Sequence, residues 1–239
     1  EIAMAIVRQA YEEALHVHSY ATMTEALGFE AEEIYGLYRK DNELYSKNQS
    51  VLEAVNRIAD PSFKTGNFEN DQMFLRACVG NILIEGIYFY SAFLCFYVLK
   101  RNNKMPGSGE MIQFINRDED MHLQLFINIV NEIKKEQPEL WTEEFKQIVI
   151  KDFRTAVERE WEWGVSCMDE GILGLNPQNL KDYLQFVADM RLKALGLPAI
   201  YGSSNPFPWI DEMTQGNMIE TNFFEATVRE YSVGALEWD

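Results

Sequence analysis

The stretch Cys78–Leu99 constrains this chain more than any other part of it. It is apolar almost throughout, yet it contains Asn81 and one carboxylate, Glu85. Its length would suffice for a membrane span. The two polar side chains inside it, the charged helical patterns after it and the lack of a second such segment argue instead for the buried central helix of a globular protein. A lone ionised carboxylate in that position costs several kcal/mol unless a metal ion or a partner compensates it. Glu85 is therefore a candidate metal ligand.

Two of the three histidines supply the rest of a centre. His16 follows Glu13 by three residues and His122 follows Glu119 by three. On a helix, residues three apart share a face, so each pair aims a carboxylate and an imidazole at one point. Two such pairs plus an unpaired glutamate are what a carboxylate-bridged site for two metal ions requires inside a helical bundle. His18 falls on another face and reads as an ordinary polar residue. Tyr20 continues the Glu13 and His16 stripe, Ile112 and Ile115 precede Glu119 on a second, and Phe89 and Phe93 follow Glu85 at steps of four. Superposed, these faces place the Tyr20 phenol beside the metal ligands, walled by Phe89, Phe93 and Ile115.

Breakers divide the rest into helices, with no sustained alternating pattern, so the expected class is all-α. The expected helices cover residues 1–26, one or two within 30–59, one from a cap at Asn70 or Asp71 to about Arg101, then 109–135, 142–170 and 178–195, with Pro106-Gly107 as a turn. Residues 1–218 would form the bundle and 219–239 a tail. A net charge of −17 makes nucleic acid and anionic membranes poor partners. Cys78, Cys95 and Cys167 are unspaced and sit among apolar residues, as buried thiols of a cytoplasmic protein do. The chain opens inside a helical pattern, Glu1 to Val7, with neither a cap nor a start methionine, so residues are expected to precede Glu1.

These residues resemble the radical-generating small subunit of ribonucleotide reductase. That family has a Glu-x-x-His with a radical tyrosine four residues after the His, as in Glu13, His16 and Tyr20. It has a Glu followed by Phe at four and eight residues, as in Glu85, Phe89 and Phe93. It also has an Arg-Asp-Glu-x-x-His, as in Arg117, Asp118, Glu119 and His122. The likeness extends to Asn222-Phe-Phe-Glu225 and to Glu230-Tyr231.

The resemblance implies a ferritin-like bundle holding two metal ions (Fe/Fe, Mn/Fe or Mn/Mn), a homodimer, and a large catalytic subunit as partner. It also implies the reduction of ribonucleotides to deoxyribonucleotides by an oxidising equivalent that this chain stores and passes on. Asp118 would accept a hydrogen bond from a ligand histidine and link it to the transfer route. Tyr231 would relay the radical across the subunit interface, and residues 219–239 would attach to the large subunit. The family's first metal ligand and a transfer tryptophan would lie before Glu1. The spacing and the ending after Tyr231 are similar to a subgroup with manganese-containing members in which Phe can replace the radical tyrosine, whereas here position 20 is Tyr. A ferritin-like oxidase or hydroxylase and a metal-storage protein are the competing readings of the same bundle.

Overall fold

The computed structural model describes residues 1–56, 58–168 and 171–211. Tyr231 and the expected tail 219–239 thus lie outside the described residues. The helices are α1 (Ile2–Ala26), α2 (Ala31–Gly36), α3 (Asn42–Asn56), α4 (Phe68–Gly86), α5 (Tyr90–Arg101), α6 (Pro106–Glu136), α7 (Glu143–Ser166) and α8 (Pro177–Ala194). Among the described residues no strand forms, and one isolated bridge joins Ile172 to Leu175. The all-α expectation holds.

Local chemistry sets the helix starts. The Asn67 side chain accepts the Asn70 amide at the head of α4, Thr142 accepts the Phe145 amide at the head of α7, and Asn176 and Asn179 cap each other's backbones at the head of α8. Two sequence expectations need correction here. The cap of α4 is Asn67, three residues before Asn70, while the Asp71 carboxylate accepts the Gly66 amide outside the helix. Pro106 does not make a turn but opens α6 at its first position, where its missing N–H costs nothing.

The apolar stretch is core. Most of the apolar part of the segment Phe68–Arg101 is buried, with Leu75, Ile82, Ile87 and Leu94 at 0% exposure. It is not one continuous helix, however. The chain breaks at Ile87–Phe89, where Ile87 adopts φ −135° and ψ −52°, and α5 resumes at Tyr90. Both halves pack on α6, which contributes Ile112, Ile115, Leu123, Ile127 and Val130 to the same apolar cluster. Burying side chains of this size contributes about 1.5–3 kcal/mol each.

After α8, buried Asp189 gathers the Ile200, Tyr201 and Gly202 amides at 2.7, 3.2 and 2.7 Å and so fixes the outgoing chain.

Close packing of α7 depends on one residue without a side chain. A Cβ at Gly164 would meet Leu180 Cδ2 at 2.7 Å and Ser91 Cβ at 2.9 Å. The leucine tip can move, but the serine Cβ is tied to the backbone. Gly164→Ala gains about 0.5–1 kcal/mol of helix propensity and loses more to overpacking, which typically costs about 1–3 kcal/mol. The expected result is net destabilisation, seen in urea as a lower midpoint at unchanged slope. An unchanged or higher midpoint would show that α7 has slack.

Candidate metal centre

Three helices meet at one point. α1 brings Glu13 and His16, the last turn of α4 brings Glu85, and the middle of α6 brings Glu119 and His122. Ligand-capable atoms of Glu13, Glu85, Glu119 and His122 all lie within 4.8 Å of one another. His16 joins them through Glu119, and the two imidazole centroids are 6.0 Å apart. Glu85, Glu119, His122 and His16 are each no more than 4% exposed.

The two imidazoles are oriented alike. Each turns Nδ1 inward and Nε2 outward. His16 Nδ1 lies 3.1 Å from Glu119 Oε1 and 3.8 Å from Glu13 Oε2. His122 Nδ1 lies 2.9 Å from Glu119 Oε2 and 3.3 Å from Glu13 Oε1. The two oxygens of each glutamate therefore face different histidines, as bridging carboxylates would. On the outer side His16 Nε2 is 3.3 Å from Asp118 Oδ2, and His122 Nε2 is 3.0 Å from Glu12 Oε2. Nε2–H donation to those carboxylates fixes each ring and frees Nδ1 for the inside. Both outer acceptors are backed by arginine: Arg8 Nε donates to Glu12 at 2.6 Å, and Arg117 Nη2 donates to Asp118 at 3.1 Å.

Two inward atoms have no hydrogen-bond partner although they are buried: His16 Nδ1 and Glu85 Oε2. The 3.1 Å approach of His16 Nδ1 to Glu119 is not aligned as a hydrogen bond. Glu85 Oε1 is held by Gln9 Nε2 at 2.9 Å, which leaves Oε2 aimed into the cluster. A cation is what would satisfy both atoms, since buried polar groups left unpaired are rare and costly. The donor set fits: carboxylate oxygens and imidazole nitrogens, with no thiolate, suit iron and manganese alike.

The electrostatics express the same crowding. Burial, reinforced by Glu119 and Glu13, pushes the Glu85 carboxyl up to about 9. Burial opposes charge on both imidazoles, but the carboxylates around them prevail and raise His16 to about 11 and His122 to about 10. The two imidazoles lower Glu13 to about 2. Tyr20 lies on the same stripe of α1, packs on the apolar cluster that contains Phe93 and Ile115, and has its phenol pKa raised by burial and by the Glu119 and Glu13 charges. His18 is exposed on the far side of α1.

Glu12 and Gln9 are site residues that the spacing argument passed over. Gln9 sits one turn before Glu13 on the same stripe, which is a usable signal. Glu12 meets a histidine from α6 and not one on its own helix, so no spacing within α1 could reveal it.

The sequence profile of the ribonucleotide reductase small chain matches residues 1–206. The chain belongs to that family. Within it, the chain is 39% identical to the ribonucleoside-diphosphate reductase subunit beta of Chlamydia pneumoniae, over 100% of this chain and 69% of that protein. The subunit beta of Treponema pallidum is 33% identical over 97% of this chain and 66% of its own length. A solved structure, the ribonucleotide reductase R2 subunit from Clostridium botulinum, superposes with a TM-score of 0.80 at 32% identity, covering 89% of this chain and 66% of that one. The chain thus spans about two thirds of the length of these relatives. As a small-chain family member it has the ferritin-like helical fold expected from its motifs, with a Glu/His cluster suited to metal in its core.

Proposed function

We propose that this chain is the small subunit of a ribonucleoside-diphosphate reductase, with two metal ions held between Glu13 and Glu119. His122 and Glu85 complete one side and His16 lies on the other. The observation that carries this reading is the common orientation of the two imidazoles, Nδ1 toward opposite oxygens of the same two glutamates and Nε2 held from outside. When bound, a pair of iron or manganese ions would supply a one-electron oxidising centre.

The protein's own groups have separate tasks. Gln9 and the outer carboxylates hold the ligands in place, so little reorganisation is needed as charge changes at the centre. Tyr20 is neutral as any phenol is at ordinary pH, burial and the Glu119 and Glu13 charges favour that form further, and an electron taken from it has to be accompanied by loss of its proton. The apolar wall around its ring keeps water from quenching the resulting radical. Asp118 touches His16 and Arg117, which suits it to couple the centre to the surface. From there the oxidising equivalent would pass by way of Tyr231 to a cysteine on a large partner subunit, where the ribonucleotide is reduced.

Tyr20→Phe tests the radical carrier. The loaded wild type is expected to show a tyrosyl signal in electron paramagnetic resonance and to support reduction of ribonucleoside diphosphate when mixed with the large subunit. Tyr20→Phe should lose both while keeping its metal content. Full activity of that variant would move the oxidising equivalent onto the metals.

A further inference from the structure

The break between α4 and α5 begins just past Glu85, and the backbone groups it frees are not left to solvent. In a continuous helix the Ser91 amide would donate to the Ile87 carbonyl. Here the Ile87 carbonyl accepts from the Tyr90 amide at 3.1 Å, and the Tyr88 amide reaches back five residues to Leu83 at 3.1 Å. The Ser91 amide donates instead to Glu160 Oε1 at 3.0 Å, and the Ser91 hydroxyl donates to the same oxygen. The Tyr88 carbonyl accepts from Lys47 Nζ at 2.6 Å. Lys47 Nζ and Glu160 Oε2 are themselves 2.6 Å apart. A single ion pair, one member from α3 and one from α7, thus occupies both the carbonyl and the amide that the break exposes.

Stability does not account for this pair. The Glu160 side chain is 0% exposed and that of Lys47 13%. Desolvating two such charges costs several kcal/mol per ion, and apolar replacements of buried pairs are often neutral or stabilising. What an apolar pair could not do is hold the Tyr88 carbonyl and the Ser91 amide. Helical sharp kinks persist where side chains insert into the backbone ladder in this way. Closing the break by one residue would turn α4 against α5 by about 100°, the angle between successive helical residues, and Glu85 sits at that junction.

We infer that Lys47 and Glu160 are positioning residues, which hold the α4–α5 break in the shape that aims Glu85 at the metal centre. The inference rests on the two-metal reading of the centre.

Manganese(II) binding to the intact chain tests it, read by equilibrium dialysis and by the electron paramagnetic resonance of the bound ions. The wild type should bind two ions with the signal of a spin-coupled pair. Lys47→Met and Glu160→Gln should each weaken one of the two by about 10–100-fold, the range for partners that orient ligands, and replace the coupled signal by that of a single ion. Lys47→Arg, which can keep both contacts, should restore the pair. The double variant Lys47→Met/Glu160→Leu, which leaves no unpaired buried charge, separates positioning from folding: it should keep the wild-type helicity by circular dichroism and bind one manganese normally and the second weakly. A double variant that binds two ions with wild-type affinity overturns the inference. A wild type that binds no pair would bring down the two-metal reading itself, and this inference with it.

Discussion

Glu119→Ala is expected to strip the centre of both metal ions, whereas Glu85→Ala is expected to cost only one. The difference follows from where the oxygens point. Glu119 Oε1 and Oε2 face His16 and His122 respectively, so each of the two proposed metal positions loses a donor when that side chain goes. Glu85 gathers with Glu13, Glu119 and His122, on one side of the site. Metal analysis on folded protein, with helicity checked by circular dichroism, should read about zero and about one ion per chain. Bundle stability comes from apolar packing, so helicity should survive both changes. Activity with a large subunit should fall by at least about 100-fold in each, as loss of groups that act as a unit does. Two ions retained in Glu119→Ala would remove it as a bridge.

The same pair of variants should part in the absence of metal. Burial raises the Glu85 carboxyl from 4.5 to about 9, so the metal-free fold loses stability as pH rises through that window. Metal-free Glu85→Ala escapes that penalty at pH 8. Glu119→Ala instead leaves His16 and His122 without the carboxylate between them. The first should therefore melt closer to the wild type than the second.

Metal loading near pH 7 is expected to release about three protons per chain, because a ligand must shed its proton before it binds. Without metal, His16, His122 and Glu85 keep theirs until about 11, 10 and 9. Apparent affinity should accordingly rise by up to about a thousandfold per pH unit for the pair, in proportion to the protons displaced. Indicator dye in weak buffer counts the protons directly. About one released would mean that the imidazoles are already neutral and that only Glu85 gives up a proton.

The sign for folding follows from the same groups. The two histidines have folded values above the ordinary 6.5, so their stabilisation is full below 6.5 and is lost as pH rises through about 10 and 11. Glu13, lowered to about 2, contributes above 4.5 and loses that contribution as pH falls toward 2. Metal-free protein should thus be most stable in mildly acidic solution and fade toward alkaline pH. Bound metal should flatten that decline.

The two Glu-x-x-His pairs were legible because a three-residue step stays on one helical face, so residues within α1 and within α6 could be paired without knowing the fold. Glu85 was legible for a different reason, the cost of a carboxylate in an apolar run. Glu12 was not, since its partner arrives from another helix. The interruption at Ile87–Phe89 was invisible for the same reason: nothing in the apolar run announces it, and the groups that satisfy it, Lys47 and Glu160, come from α3 and α7. Pro106 is ambiguous in the sequence because proline suits both a turn and the first position of a helix, and here it takes the second.

The spread of the donors over α1, α4 and α6 also sets a timetable. His122 is made 122 − 13 = 109 residues after Glu13, and at the usual pace of synthesis that interval is about 5–20 s. During it the emerging chain would offer any passing cation Glu13 and His16 on one helix and later Glu85 on another, too few donors to hold two ions. On the two-metal reading, metal choice would be deferred until α6 has docked. It would then be exercised by donors whose positions the packed helices fix, which is how a site can take manganese or iron where the order of intrinsic affinities would favour copper or zinc.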